Sequence, residues 1–204
     1  MAKPYFVGSL REVWKVRKVL GSKMKYKYYQ ERSCTEWEIT KKHLALVRLF
    51  LESSNDFLVI FESDAIFGPV EEFAKKISFL IKTNTNNDPC WVRLSTGFDM
   101  RHLEVKSFPT EESLAIEAEL LGFQAYVKPT TNTSCCYMIN RKMAEKIVNQ
   151  FNTKWTSISM EPIDFFYNRA LAKIAKYESV LSADFISPPI IHGSIIGSYQ
   201  SWQT

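Results

Sequence analysis

The sequence predicts an α/β fold in which a central mixed sheet is flanked by helices. Short apolar runs rich in β-branched and aromatic residues alternate along the chain with longer segments whose apolar residues recur every three or four positions. The first pattern is typical of buried strands and the second of amphipathic helices. Their alternation, without any internal repeat or low-complexity tract, is the pattern of an α/β domain.

Composition indicates a single folded unit. The chain has 204 residues, 46% of them hydrophobic, which is enough to form one core. We expect one domain over residues 1–204, with residues 1–35 as a short basic N-terminal segment and residues 193–204 as a flexible tail. No apolar run approaches the roughly 18 residues of a membrane helix, and the N-terminus lacks the apolar region of a secretory signal. The expected location is therefore cytoplasmic.

The cysteines and the charge distribution carry further expectations. The 4 cysteines show no C-x-x-C spacing, so reduced, buried thiols are expected.

The net charge of +4 is concentrated in lysines and arginines of residues 1–32, where only Glu12 and Glu31 oppose them. Such a segment favours anions, so a membrane surface, a phosphorylated substrate or nucleic acid could be its partner. A solvated basic helix without a partner is the alternative.

In the first half of the chain, the helices and strands are predicted from the spacing of apolar residues and from residues that typically begin or end a helix. Thr35 and Glu38 fit a capping box that begins a helix. The continuous apolar run Phe57–Phe61 is expected of a strand covered on both faces. The predicted elements are a strand at 5–10, a helix near 11–20 ended by Gly21, a helix over 36–52 with Ile39, His43, Leu46 and Phe50 on one face, a strand at 57–61, and a helix that begins at Pro69 and buries Val70, Phe73, Ile77 and Leu80.

The second half continues the alternation after a polar loop at 83–89. Residues 96–122 are ambiguous, and a helical insertion around 111–121 is one interpretation. The other predicted elements are strands at 91–95, 123–127 and 135–139, a helix capped by Asn140 that buries Met143, Ile147 and Phe151, and a final helix over about 162–176 that begins at Pro162.

Two carboxylates follow the apolar strand Phe57–Phe61. Glu62 and Asp64 are two positions apart, so on an extended chain they point to the same side and repel each other unless a cation or a proton lies between them. Ligands of open α/β sheets bind beyond the carboxyl ends of the strands, and oxygen ligands suit Mg²⁺ or Mn²⁺. The alternative is structural: Glu62 makes a local ion pair and Asp64 caps the turn before Phe67.

Several separated stretches, taken in order, resemble glycosyltransferase family 25. WEITKKHLALVRLF resembles the family's Ser-His helix, DFLVIFESDAIF its strand ending in Glu-Asp-Asp, and WVRLS its W-D-x-x-x-L strand. Farther along, NTSCCYMINRKMAEKIV resembles its G-T-x-G-Y block, EPID its P-x-D element and SPPII its closing Pro-Pro segment. The resemblance implies a GT-A-like nucleotide-sugar-binding fold, a UDP-galactose donor, and inverting transfer to a glycan such as lipooligosaccharide. It departs from the family pattern at Lys42, Ser63 and the Cys135-Cys136 pair, and the segment before residue 36 is short.

The resemblance also implies roles for individual residues. Asp64 would bind Mn²⁺ or Mg²⁺ directly, with Glu62 and His192 as further ligands. The catalytic candidates are Asp164 as the base, with Glu161 as its alternative. Both lie beside Pro162 at a predicted helix start, where helix capping is the other interpretation. His43 matches the Ser-His pair, but it lies on an apolar stripe, where a hydrogen-bonded core histidine is the other interpretation. The donor-binding candidates are Ser9, Arg11, Glu62, Ser63 and Arg93, although Arg93 would equally pair with a buried acid.

Three functions remain open from the sequence. The leading one is a transferase that acts on a glycan or glycolipid, is held by its basic segment at the inner face of the membrane, and has no nucleic-acid partner. Ser63 and the short N-terminal segment motivate a second: a degenerate relative that binds a glycan or a partner protein without transfer. The paired acids and the basic charge suggest a metal-dependent nuclease as the third, which lacks a lysine closely behind the acids.

Overall fold

The computed structural model describes residues 35–83, 88–97, 103–109, 111–131, 133–152 and 163–193. The predicted strand at 5–10, the helix near 11–20 and the side chains of the capping box at Thr35 and Glu38 lie outside the described residues. In chain order the elements are α1 (Thr35–Leu51), β1 (Phe57–Phe61), β2 (Ala65–Phe67), α2 (Val70–Thr83), β3 (Cys90–Arg93), β4 (Val105–Lys106), α3 (Glu112–Leu121), β5 (Phe123–Tyr126), β6 (Cys136–Asn140), α4 (Arg141–Asn152), α5 (Ile163–Ile174), β7 (Leu181–Phe185) and β8 (Ile190–His192).

A mixed sheet of six strands forms the centre of the fold, in the order β1-β6-β3-β7-β5-β4. Strand β6 runs antiparallel to both β1 and β3, whereas β3 and β7 are parallel. Strands β1, β3 and β7 therefore point the same way and end at one edge of the sheet. A separate two-stranded sheet, β2 with β8, forms from the segments that follow β1 and β7. The predicted α/β class with a mixed sheet is confirmed.

Helices cover both faces of the six-stranded sheet. Successive residues of a strand point to opposite faces, so in β3 Trp91 packs with α1, α4 and α5 on one side, while Val92 packs toward α2 and α3 on the other. The helices predicted over 36–52, from Pro69 and after Asn140 are confirmed, as is the C-terminal helix, whose described part is Ile163–Ile174. Val70, predicted on the buried face of the helix from Pro69, is exposed instead, because it lies at the first position of that helix. Among the described residues, no helix has the length and apolar character needed to cross a membrane.

The strand predicted at 57–61 is confirmed as β1, and it is covered on both faces: Leu58 and Ile60 pack in one core cluster, and Phe57, Val59 and Phe61 pack against the other. Among the described strands, β1 lies at an edge of the sheet, and only Ile60 of its five residues is fully buried. Strand β7, in the interior of the sheet, was not predicted. Ser182 and Asp184 interrupt its apolar pattern, but both are buried and hydrogen-bonded, Ser182 to the Thr130 carbonyl and Asp184 to Tyr126.

Asn140 joins the sheet to α4. Its Oδ1 accepts hydrogen bonds from the backbone N–H groups of Met143 (2.9 Å) and Cys90 (3.1 Å), and its Nδ2 donates to the Asp88 carbonyl (2.7 Å). The first bond is the helix cap that the sequence predicted. The other two fix the start of β3 against the end of β6.

Asn140→Ala is expected to lower the free energy of unfolding by about 2 kcal/mol, because it removes the cap and leaves buried backbone groups without partners. Urea denaturation followed by circular dichroism measures this change. Glu145→Ala, at an exposed position of the same helix, should change stability by less than about 0.5 kcal/mol. Equal effects of the two substitutions would contradict the role given to Asn140.

Candidate functional site

The candidate site lies where β1 ends and β6 begins. Phe61 pairs with Cys136 across the two antiparallel strands, and the backbone N–H of Glu62 donates to the Cys135 carbonyl at 2.8 Å. The acids after β1 are therefore placed beside Ser134 and Cys135, which precede β6. Strand β8 adds His192, and the first turn of α5 adds Asp164. Four separated segments thus meet at the edge where sheets of this class bind ligands.

Glu62 is held by two side chains. Its Oε1 lies 3.1 Å from His43 Nε2 and accepts a hydrogen bond from Ser134 Oγ at 3.0 Å. Burial raises the pKa of Glu62, but the hydrogen bond and the charge of His43, with the Ser134 hydrogen bond, outweigh it and hold this pKa below its usual value. Glu62 is therefore an ionised acceptor whose orientation is set by His43 and Ser134.

His43 connects Glu62 to a buried pair of tyrosines. His43 is fully buried, its Nδ1 lies 2.8 Å from the Tyr137 hydroxyl, and that hydroxyl lies 2.7 Å from the hydroxyl of Tyr167. Because Glu62 is an ionised acceptor, His43 donates to it through Nε2, while the other ring nitrogen, Nδ1, pairs with the Tyr137 hydroxyl. His43 thus orients Glu62 at one end of this buried network.

Asp64, His192 and Cys135 form a second group. His192 Nε2 lies 3.0 Å from Asp64 Oδ2, and Cys135 Sγ lies 3.7 Å from Asp64 Oδ1. One ligand atom from each of the three residues lies within 4.8 Å of the other two. The hydrogen bond with Asp64 raises the pKa of His192, although burial opposes it. Burial and then the charge of Asp64 raise the pKa of the Cys135 thiol, so this cysteine is a poor nucleophile by itself.

The backbone brings His192 against Asp64. Ala65 pairs with His192 across β2 and β8, the His192 N–H donates to Thr96 Oγ1 at 2.8 Å, and the Gly193 N–H donates to the Asp64 carbonyl at 2.8 Å. A Cβ at Gly193 would lie 2.6 Å from that carbonyl oxygen, closer than two such atoms approach. Glycine is therefore required for the close approach that places the imidazole on the carboxylate.

Asp164 is the third carboxylate of the site. Burial raises the pKa of Asp164, the hydrogen bond with Ser134 opposes this shift, and the charge of Glu62 adds to it. Its Oδ1 is buried and has no hydrogen-bond partner among the described residues. Ser134 has one hydroxyl proton and reaches both Glu62 and Asp164, so it can donate to only one of them at a time. A carboxylate in this setting accepts a proton more readily than an ordinary aspartate does.

The structure brings together five of the residues predicted from the sequence, and these are His43, Glu62, Asp64, Asp164 and His192. Arg93 lies apart from them: its guanidinium forms a buried ion pair with Asp184, which also accepts a hydrogen bond from Tyr126 at 2.7 Å. The geometry favours the buried-acid alternative for Arg93. Ser63 lies in the turn between β1 and β2, and the predicted residues Ser9, Arg11 and Glu161 lie outside the described part of the chain.

Sequence reasoning missed Cys135, Ser134 and Tyr137 as members of the site. It expected reduced, buried thiols, and the three described cysteines are indeed buried and free of disulfides. The only sequence signal for these residues was that they belong to a stretch, residues 132–139, that resembles a motif of the family. That stretch lies far along the chain from Glu62 and Asp64. The pairing of β1 with β6 could not be read from either segment alone.

No protein-family model matches the chain, and a search of the curated proteins found no match.

The donor atoms of the second group suit a divalent cation. The Asp64 carboxylate and the His192 imidazole together suit Mn²⁺ and similar ions, whereas Mg²⁺ prefers oxygen ligands alone. Glu62, predicted as a further ligand, is engaged instead by His43 and Ser134. Asp64 and His192, with Cys135, thus offer donor atoms to a cation, and Asp164 lies nearby with a raised pKa.

Proposed function

We propose that the protein is a metal-dependent glycosyltransferase that moves a sugar, with galactose the first to test, from a uridine diphosphate sugar to a hydroxyl of a glycan or glycolipid such as lipooligosaccharide. One observation carries the proposal. Asp64 and His192, whose donor atoms suit a cation, lie beside a separate, half-buried carboxylate, Asp164, at the edge of the sheet where ligands of α/β proteins bind. A GT-A-like architecture is part of this proposal.

An inverting transfer needs charge neutralisation on the departing diphosphate and a base for the acceptor hydroxyl. A cation held by Asp64 and His192 would supply the first as a Lewis acid. Asp164 would supply the second, and the raised pKa that burial produces supports this role because a base works best with a pKa close to the working pH.

Glu62 and His43 have positioning roles in this proposal. Glu62 is ionised and bound to His43 and Ser134, so it holds the Ser134 hydroxyl between the two carboxylates. When that hydroxyl donates to Glu62, Asp164 keeps its acceptor capacity for an incoming hydroxyl. The Tyr137 and Tyr167 hydroxyls fix the opposite side of the His43 ring. The network therefore leaves Asp164 free to accept the proton of the acceptor hydroxyl, while Glu62 stays hydrogen-bonded to His43 and Ser134 and does not act as a base.

The basic N-terminal segment has a place in the same proposal. Its lysines and arginines would attract the anionic inner face of the membrane, where glycolipid acceptors are assembled, and nucleic acid is not a partner in this account.

Purified protein is expected to bind UDP only in the presence of a divalent cation, because the cation joins the protein carboxylate to the diphosphate. Isothermal titration with UDP, with and without Mn²⁺ and with EDTA as the control, measures this dependence. Release of UDP from UDP-galactose, first without an acceptor and then with a lipooligosaccharide extract, measures turnover.

The two measurements separate the candidate functions. Metal-dependent UDP binding without UDP release from any nucleotide sugar would favour the degenerate, binding-only relative that Ser63 motivates. Identical UDP affinities with Mn²⁺ and with EDTA would contradict the proposed function. Nucleotide release from DNA or RNA by the purified protein would point to the nuclease instead.

A further inference from the structure

We propose that Cys135 is the third protein ligand of the cation site and that the site therefore selects a thiophilic or borderline ion, with Zn²⁺ as the reference case, over Mg²⁺. The proposal concerns the cation site of the proposed function but does not depend on nucleotide-sugar chemistry. It goes beyond the ligands Asp64, Glu62 and His192 that the sequence predicts, since it replaces Glu62 by a sulfur ligand.

The three donor atoms lie close enough together to share one ion. Zinc bond lengths of about 2.0–2.3 Å at tetrahedral angles place two ligand atoms roughly 3.3–3.7 Å apart. Cys135 Sγ lies 3.7 Å from Asp64 Oδ1, within this range. His192 Nε2 lies 3.0 Å from the other oxygen, Asp64 Oδ2, a hydrogen-bonded separation that an ion between them would widen. One ligand atom from each residue lies within 4.8 Å of the other two.

The chemistry of the donor set points to the same class of ion. One sulfur, one nitrogen and one oxygen are ligands that zinc accepts together, whereas sulfur does not bind Mg²⁺ usefully. Three protein ligands leave a fourth tetrahedral position for water or a substrate oxygen, as in catalytic rather than structural zinc sites. Of the two carboxylates that could add oxygen ligands, Glu62 is already held by His43 and Ser134, and Asp164 lies within hydrogen-bonding reach of Ser134.

The neighbouring cysteine offers a matched control. Cys135 and Cys136 are consecutive residues at the start of β6, so their side chains point to opposite faces of the sheet. Cys136 packs in the apolar cluster with Val92 and Met138, whereas Cys135 contacts Asp64. Both side chains are buried, so replacing either by alanine removes one buried thiol while only Cys135→Ala removes a ligand.

Titration with Co²⁺ tests the proposal, because a sulfur ligand to Co²⁺ gives an intense near-ultraviolet charge-transfer band that oxygen and nitrogen ligands do not give. The wild-type protein and Cys136→Ala should develop the band at one equivalent of Co²⁺, and Zn²⁺ but not Mg²⁺ should abolish it. Cys135→Ala should show no band, and its Zn²⁺ affinity should fall by at least about 100-fold. Removing a residue that only hydrogen-bonds to a metal ligand already lowers metal affinity by up to about 100-fold, so removing a direct ligand should cost at least as much. Urea denaturation of both variants confirms that they are folded.

The outcomes are distinct from those of the proposed function. A band that persists in Cys135→Ala, or tight Co²⁺ binding by the wild-type protein without a band, would overturn the sulfur ligand while leaving metal-dependent UDP binding intact. A Cys135-dependent band in a protein that does not bind UDP would support this inference and contradict the transferase.

Discussion

Asp64→Asn is expected to abolish metal-dependent UDP binding, with a loss of at least about 100-fold in cation affinity, and to abolish transfer with it. Asp64 is the residue that contacts both of the other candidate ligands, one through each of its carboxylate oxygens. Asparagine keeps the shape of the side chain but removes its negative charge, so it no longer offsets the charge of a cation. Titration with Mn²⁺ and Zn²⁺, followed by UDP, measures the loss.

Asp56→Asn is the matched control for this substitution. Asp56 lies at the other end of β1 and is exposed, so its change alters the net charge equally without reaching the site. It should leave UDP affinity and turnover within about twofold of the wild-type values, since surface substitutions change little. Full transfer activity in Asp64→Asn would remove Asp64 from the cation site and with it the basis of the proposed function.

Asp164→Asn is expected to lower the rate of sugar transfer by about 10²–10⁴-fold, the range that general base catalysis contributes. An amide cannot accept the proton of the acceptor hydroxyl, yet it has the same size as the carboxylate that it replaces. Cation and UDP affinities should stay within a few-fold, because Asp64 and His192 are unchanged. The kcat for transfer and the affinity for UDP, measured on the same preparation, separate the two effects.

A merely structural role for Asp164 predicts a different result. Asp164 lies in the first turn of α5, where a carboxylate also stabilises the helix dipole. In that case Asp164→Asn would lower the unfolding midpoint in urea while leaving the kcat for transfer close to that of the wild-type protein. A loss of UDP binding equal to the loss in rate would place Asp164 in donor binding instead of proton transfer.

The helices and most strands were predictable because their signals are local. The stripe of Met143, Ile147 and Phe151 recurs at helical spacing, and these residues do pack in one core cluster. The alternation in β7 was an equally local signal, since Leu181, Ala183 and Phe185 face one side and Ser182 and Asp184 the other. It was not predicted, and the buried partners of its polar residues, Thr130 and Arg93, are distant in sequence.

The candidate site was predictable only in part. Glu62 and Asp64 stood out because two acids directly follow an apolar strand, and the resemblance added Asp164, His192 and His43. Two details depended on the fold. Glu62 turned to His43 and Ser134, and Cys135 came next to Asp64 because β6 runs antiparallel beside β1.

The sequence by itself determined the α/β class, the helices and the presence of acids at the end of a strand, since each depends on the spacing of residues within one segment. Only the tertiary structure decided which of those acids meets a histidine and a thiol, and which is held by a buried network. Such contacts depend on strand order and register, which bring together segments more than 70 residues apart, as with Asp64 and Cys135. The residue pattern within one segment does not predict them.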